Sequence, residues 1–235
     1  MSSAEGTEAA ADAAPPADEE EAAPRDDLRE GLLESIRAEL GDAVVGSHIR
    51  PGDDLWVRVT NESWRTAGTV VRDKLGCTYF DFLSVIDWLP SPFGRDMDSQ
   101  EDLTVNPVEA KAAVPMTWGY AGGETRLQVF ARIYNIELGH GVTLKVDVAD
   151  DDPTIDTWVP LFAGANWHER EAWEMFGVTF TGHPHLINMY LPGDFEGNPM
   201  RKDFPLLARR VKPWPGIVDV EPLPGDDSTE DGAAE

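Results

Sequence analysis

Two histidines, His183 and His185, stand on either side of Pro184, and Asp194, Glu196 and Asp203 follow them. A His-x-His pair beside carboxylates is a pattern zinc can use, since imidazole nitrogens and carboxylate oxygens are among its usual ligands. The spacing here is loose and Pro184 stiffens the turn, so surface or packed histidines are the preferred reading. His48, His140 and His168 stand alone. Cys77, the one cysteine, follows a helix C-terminus, where the dipole raises a thiol pKa. It reads as a small packed residue rather than a nucleophile. A lone cysteine forms no intrachain disulfide and cannot supply the four thiolates of an iron–sulfur cluster. No dinucleotide fingerprint, phosphate loop or Gly-x-Ser-x-Gly elbow occurs, and no nucleophile, base and orienting group fall into a set. No residue is therefore assigned as catalytic, cofactor-binding or metal-ligating.

The densest chemistry lies in residues 166–206. It runs Asn166-Trp167-His168-Glu169-Arg170-Glu171-Ala172-Trp173-Glu174-Met175-Phe176-Gly177 and ends Arg201-Lys202-Asp203-Phe204-Pro205-Leu206. Trp173 and Phe176 share a helical face. Arg170 and Glu174 sit one turn apart and can pair. Glu169 and Glu171 are expected in the first turn, where the helix dipole favours acids. Periodicity alone describes an amphipathic helix with solvated charges. The crowding of charge among aromatics adds a second reading. Irregular backbone that stays ordered needs its N–H and C=O groups paired, and Arg, Lys and Asp can supply those bonds or reach across an interface. That is a clamp-like arm against a partner.

The elements that position this segment follow from spacing. Leu28, Leu32, Ile36 and Leu40, with Leu33, predict a helix over Asp27–Leu40, capped by Asp27 and closed by Gly41. Strands are expected at 43–49 and 54–60 about a Pro51-Gly52-Asp53 turn. A helix capped by Ser63 follows at 63–75, then a strand at 78–88. Residues 90–118, with four prolines and little periodicity, read as a loop insertion. A hairpin follows. Its first arm, Leu127–Leu138, is apolar on both faces, as in a covered sheet. Its turn is Gly139-His140-Gly141. The second arm places Val142, Leu144, Val146 and Val148 inward, with Thr143, Lys145 and Asp147 outward. A helix from Asp156 to Phe176 is expected to break at Gly164, with Asn166 capping the second piece. Beyond Gly177, Gly and Pro recur and periodicity fades. The pattern is α+β: a mixed or antiparallel sheet with helices packed on it, then an irregular extended C-terminal arm. The expected divisions are a disordered acidic tail at 1–25, an α+β domain at 26–177, the arm at 178–215 and a second disordered acidic tail at 216–235.

Composition bounds the role. Eight Trp and nine Phe, within 41% hydrophobic residues, supply a real core. Of the 25 net negative charges, the ends at 1–24 and 216–235 carry fourteen. Such a field repels nucleic acid, whose phosphates need Lys and Arg. There is no run of about 18 apolar residues to cross a membrane and no secretory leader pattern. A role at a membrane would therefore need other subunits to hold the chain there.

The segment Glu169–Leu206 closely resembles the C-subunit family of NADH:quinone oxidoreductase, respiratory complex I, whose mitochondrial counterpart is the thirty-kilodalton subunit. Glu169, Arg170, Glu171, Trp173, Glu174, Phe176 and Gly177 form the first block. Gly182, His183 and Pro184 form the link. Asp194, Glu196, Gly197, Pro199, Arg201, Lys202, Asp203 and Pro205 form the second block, with Asn198 and Met200 as small departures. The resemblance implies a non-catalytic subunit of the peripheral arm, on the cytoplasmic side of a bacterial plasma membrane, with these residues at partner interfaces. It implies contact with the D and B subunits. It also implies no cofactor in this chain, with NADH, FMN, Fe-S clusters and quinone handled elsewhere in the complex. The alternatives are the equivalent subunit of a membrane-bound hydrogenase or another quinone-module complex, and a free-standing metal-dependent enzyme using His183 and His185.

Overall fold

A computed structural model describes residues 26–90 and 115–204. Its first helix, α1, spans Asp27–Leu40 as the spacing predicts, but the cap is Asp26, one residue earlier. The Asp26 carboxylate accepts the Arg29 N–H at 3.1 Å and also binds the Arg29 guanidinium at 2.6 Å. Leu33 and Ile36 are buried, whereas Leu28 is half exposed. The reason is geometric: a four-residue repeat drifts about 40° per step around a 3.6-residue helix, so the stripe turns away from the sheet at its N-terminal end.

Strands β1 (Val44–Ile49) and β2 (Leu55–Val59) form an antiparallel pair, followed by α2 (Trp64–Asp73) and β3 (Tyr79–Asp87). Ser63 precedes α2 without capping it; its hydroxyl donates to the Thr60 carbonyl instead. The hairpin is β4 (Leu127–Asn135) and β5 (His140–Asp147). Its turn lies at 136–139, so Ile136 and Leu138 leave the strand for solvent, while His140 and Gly141 enter β5. The Asn135 side chain sets this turn, accepting the Leu138 N–H at 2.9 Å.

The five strands are ordered β1-β2-β5-β4-β3, with only β2 and β5 parallel. Strand β5 is therefore central. Leu33, Ile36, Trp64, Ala67 and Val71 from α1 and α2 join Val57, Val129, Ala131, Leu144 and Val146 in one apolar core. Each such fully buried aliphatic side chain contributes about 1.5–3 kcal/mol. The outward positions of β5 differ from expectation: Thr143 and Lys145 are both 1% exposed. Thr143 lies in register between Trp56 and Arg132. Lys145 lies beneath residue 120, donating to the Tyr120 carbonyl at 3.0 Å. A central strand flanked by large neighbours loses solvent on both faces.

The expected helix at 156–163 is absent. Residues Thr154–Asp156 form β6, which pairs in parallel with β7, Thr179–Thr181. Ile155, Trp158 and Phe162 imitate a helical stripe, but Pro160 has no N–H to give a helix interior. Trp158 instead stacks on Trp64 at 4.3 Å. Gly68 makes room for it, since a Cβ there would lie 2.7 Å from the Trp158 ring. Helix α3 spans Ala165–Phe176; Gly164 holds the cap position and Asn166 falls inside the first turn. From 182 the chain is irregular. The acidic ends, most of the 90–118 insertion and the last part of the arm, Pro205 included, lie outside the described residues.

Candidate functional site

The family-like segment folds back on itself. An α-helix ends with carbonyls that lack intrahelical partners, and the arm supplies partners for those of α3. Asn198 Nδ2 donates to the Glu174 carbonyl at 3.0 Å, the Met200 N–H to the Met175 carbonyl at 3.1 Å, and Arg201 Nε to the Phe176 carbonyl at 2.6 Å. Gly177 makes the turn possible. It adopts φ 75°, and a Cβ there would meet Asn198 Oδ1 at 2.7 Å.

Arg170 and Glu174, whose spacing would let them pair, make no direct ion pair. Each binds the arm instead. Arg170 donates to the carbonyls of Ile187 and Asn188, both at 3.1 Å. The Glu174 carboxylate accepts the consecutive N–H groups of Met189, Tyr190 and Leu191 at 2.9, 3.0 and 2.6 Å. Burial alone would raise the Glu174 pKa, but these three donors and nearby Arg170 hold it below the ordinary value. The backbone offered more donors and acceptors than the neighbouring side chain did.

Glu169 lies beyond the first turn, because α3 begins at Ala165. It is 0% exposed and accepts the Trp158 N–H at 2.6 Å and the Thr157 hydroxyl. Burial, with no cationic partner among the described residues, raises its pKa to about 7, although both hydrogen bonds pull the other way. Glu171 is partly exposed, and Trp173 packs beside the core.

At Lys202 and Asp203 the arm is clasped to the sheet. Arg126 binds Asp87 at 2.9 and 2.7 Å and Asp203 at 2.9 and 2.7 Å, and the Lys202 N–H donates to Asp87 at 2.8 Å. The Asp87 side chain is 0% exposed. Burial raises its pKa, and Arg126 with the N–H groups of Lys202 and Leu89 more than offsets this. Neither Asp87 nor Arg126 stands out in the sequence, since nothing local links them to residue 203. Arg201 and Lys202 thus divide: the first caps α3, while the Lys202 side chain is exposed and makes no ion pair among the described residues.

The histidines do not converge with the carboxylates. His183 Nδ1 accepts the His185 N–H at 3.0 Å, which leaves Nε2 to donate to the Asn166 carbonyl at 3.2 Å. Asp194, Glu196 and His185 are exposed, Pro184 lies on the surface, and Pro199 is partly buried. No group of three His, Cys, Asp or Glu is placed to hold a metal among the described residues. Cys77 is buried, and burial together with Asp54 pushes its thiol up to about 11.

The arm's polar groups are largely spent inside the chain, yet it presents apolar side chains outward. Ile187, Tyr190, Phe195 and Met200 are 40–60% exposed, and Trp167 at the start of α3 is 68% exposed. Sequence reading gave Ile187, Tyr190 and Phe195 no role, because an isolated apolar residue in a Gly- and Pro-rich stretch carries no periodicity.

The family model described as the respiratory-chain NADH dehydrogenase 30 Kd subunit matches residues 57–210, well over half of the chain. The chain belongs to that family. Among its curated relatives is the C/D subunit of NADH-quinone oxidoreductase from Pectobacterium carotovorum, 48% identical over 86 residues. The counterparts in Citrobacter koseri and Yersinia pestis are 44% identical over the same length. Those 86 residues are 37% of this chain and only 14% of each relative. The structure is similar to a chain of the membrane-bound sulfane sulfur reductase, an archaeal respiratory membrane complex. The TM-score is 0.51 at 19% identity, covering 76% of this chain and 86% of that one, which is a likeness of fold. It also aligns with a trypsin-resistant fragment of Nqo5, with a TM-score of 0.47 at 21% identity, over 68% of this chain and all of the fragment. Among the described residues no helix is long and apolar enough to cross a membrane.

Proposed function

We propose that this 30 kDa-family chain is a non-catalytic subunit of the peripheral arm of the proton-translocating NADH:quinone oxidoreductase. Its task is to brace the part of the complex that passes electrons from NADH toward quinone. The observation that carries this reading, beside the family match, is the arm. Its backbone is locked onto α3 and onto Asp87 and Arg126, while Ile187, Tyr190, Phe195 and Met200 point outward. A rigid backbone presenting apolar side chains lowers the entropy lost on docking. The partners we propose are the D and B subunits, with the complex on the cytoplasmic side of the plasma membrane. FMN, Fe-S clusters and quinone belong to other subunits in this reading. A single buried cysteine with a raised pKa is a poor metal ligand, because the thiolate is the ligating form.

The fold likeness to the archaeal respiratory membrane complex keeps a second reading, an equivalent subunit of a related membrane-bound complex with another electron donor. One experiment separates the two. The tagged chain is purified from membranes in mild detergent, assayed for inhibitor-sensitive NADH:quinone reductase activity, and its companion chains are identified. A large complex with that activity and with D- and B-type subunits supports the first reading. A large complex with a different donor module supports the second. Recovery of a lone chain overturns both.

A further inference from the structure

Glu174 is an acid at the wrong end of its helix. It lies in the last turn of α3, where the dipole favours cations and disfavours carboxylates. It is also only 5% exposed, so its charge has given up most of its water. Something must offset both costs. Among the described residues, every hydrogen bond its carboxylate accepts comes from backbone. The Met189 N–H lies at 2.9 Å from one oxygen, the Leu191 N–H at 2.6 Å from the other, and the Tyr190 N–H at 3.0 and 3.2 Å from the two.

Consecutive N–H groups that converge on one point form an anion-binding nest. This one is complete for a carboxylate, because both oxygens are engaged. No side chain of 189–191 takes part in these bonds, so the nest recognises an anion whatever carries it. Desolvation would raise the Glu174 pKa, yet the N–H groups of Leu191, Met189 and Tyr190, with the charge of Arg170, hold it below the ordinary value. The ligand is therefore the ionised form at neutral pH.

We propose that the backbone at 189–191 is a binding site for a small aliphatic carboxylate, filled in cis by Glu174, and that this one anion sets the course of the arm. Ile187 and Tyr190, 46% and 60% exposed, owe their outward presentation to it. That consequence for docking rests on the subunit reading above; the binding itself does not.

Acetate is the probe, because Glu174→Ala deletes a methylene and a carboxylate, which is acetate less one hydrogen. The full-length variant is followed at neutral pH by hydrogen exchange at Met189, Tyr190 and Leu191, with chloride holding the ionic strength constant. Loss of the carboxylate should speed exchange there at least about tenfold, the factor that about 1.4 kcal/mol gives. Acetate should slow it again saturably, entering as the unanchored arm opens locally. Half the effect is expected between about 10 and 100 mM, weak as suits an anion of four heavy atoms that must shed water. Acetamide, with the same shape and no charge, should do nothing. Wild type and Glu174→Gln, whose side chains fill the position, should not respond to acetate. Where Glu174→Ala fails to fold, its refolding from urea in acetate against chloride becomes the readout. Acetate no better than chloride up to about 0.5 M, well above that range, overturns the proposal in either readout. An equal response to acetamide, or an equal acetate response by wild type or Glu174→Gln, also overturns it.

Discussion

Replacing Glu169 by Gln isolates the cost of one buried charge. The carboxyl is 0% exposed, has no cationic partner among the described residues, and burial raises its pKa from 4.5 to about 7. A folded pKa above the unfolded one means that the native state prefers the protonated form. The charge therefore costs nothing below about pH 4.5, costs progressively more between about 4.5 and 7, and is fully felt above that range. At about 1.4 kcal/mol per pH unit, the gap amounts to about 3 kcal/mol. Gln fits the same bonds. Its oxygen can accept the Trp158 N–H, and its amide can donate to the Thr157 hydroxyl oxygen, which already accepts the Val159 N–H at 3.1 Å and keeps one lone pair free. The assay is urea unfolding followed by tryptophan fluorescence at pH 5 and pH 8. Comparing the variant with wild type at each pH cancels the titration of every other acid. Glu169→Gln should gain about 2–3 kcal/mol on wild type between pH 5 and pH 8, since part of the cost is already present at pH 5. A difference that stays constant within about 0.5 kcal/mol, the accuracy such comparisons reach for independent groups, would refute the reasoning.

The arm supplies three further tests. Arg126→Ala should cost about 3–5 kcal/mol by urea unfolding, because it strands the fully buried Asp87 carboxylate; Asp203→Asn, at a 47% exposed partner, should cost under about 1 kcal/mol. Arg201→Glu should lower the melting temperature of the isolated chain, since it places a carboxylate against the Phe176 carbonyl, whereas Lys202→Glu should leave that temperature unchanged. Gly177→Ala should destabilise by more than about 1 kcal/mol, combining left-handed backbone with the Asn198 contact, and should speed proteolysis of the arm.

What the sequence made legible was local. The bounds of α1 followed from its apolar repeat and Gly41, and the β4–β5 hairpin from alternation and its glycines. What escaped was set by distance. The second covered face of β5 depends on Trp56, Tyr120 and Arg132, far away in the chain. The helix expected from Asp156 failed because Ile155 found a strand partner in Phe180. Within the segment that the sequence singled out, Arg170 and Glu174 could pair by spacing, but each binds returning backbone instead. A spacing of four residues shows who can meet on a helix, not what a returning backbone will offer instead.

The single parallel pairing in the sheet bears on how the molecule is born. Leu55 pairs with Val142 and Val59 with Val146, so the middle of the sheet joins segments almost ninety positions apart. The β4–β5 hairpin closes over a four-residue turn as soon as it is made, whereas β2 must wait for β5 with one edge unpaired. On a ribosome adding about 5–20 residues per second, that wait lasts about four to eighteen seconds. During it the β1–β2 hairpin is a nascent chain's exposed edge, open to mispairing and to chaperone capture, and its closure is a long-range step of the kind that slows folding.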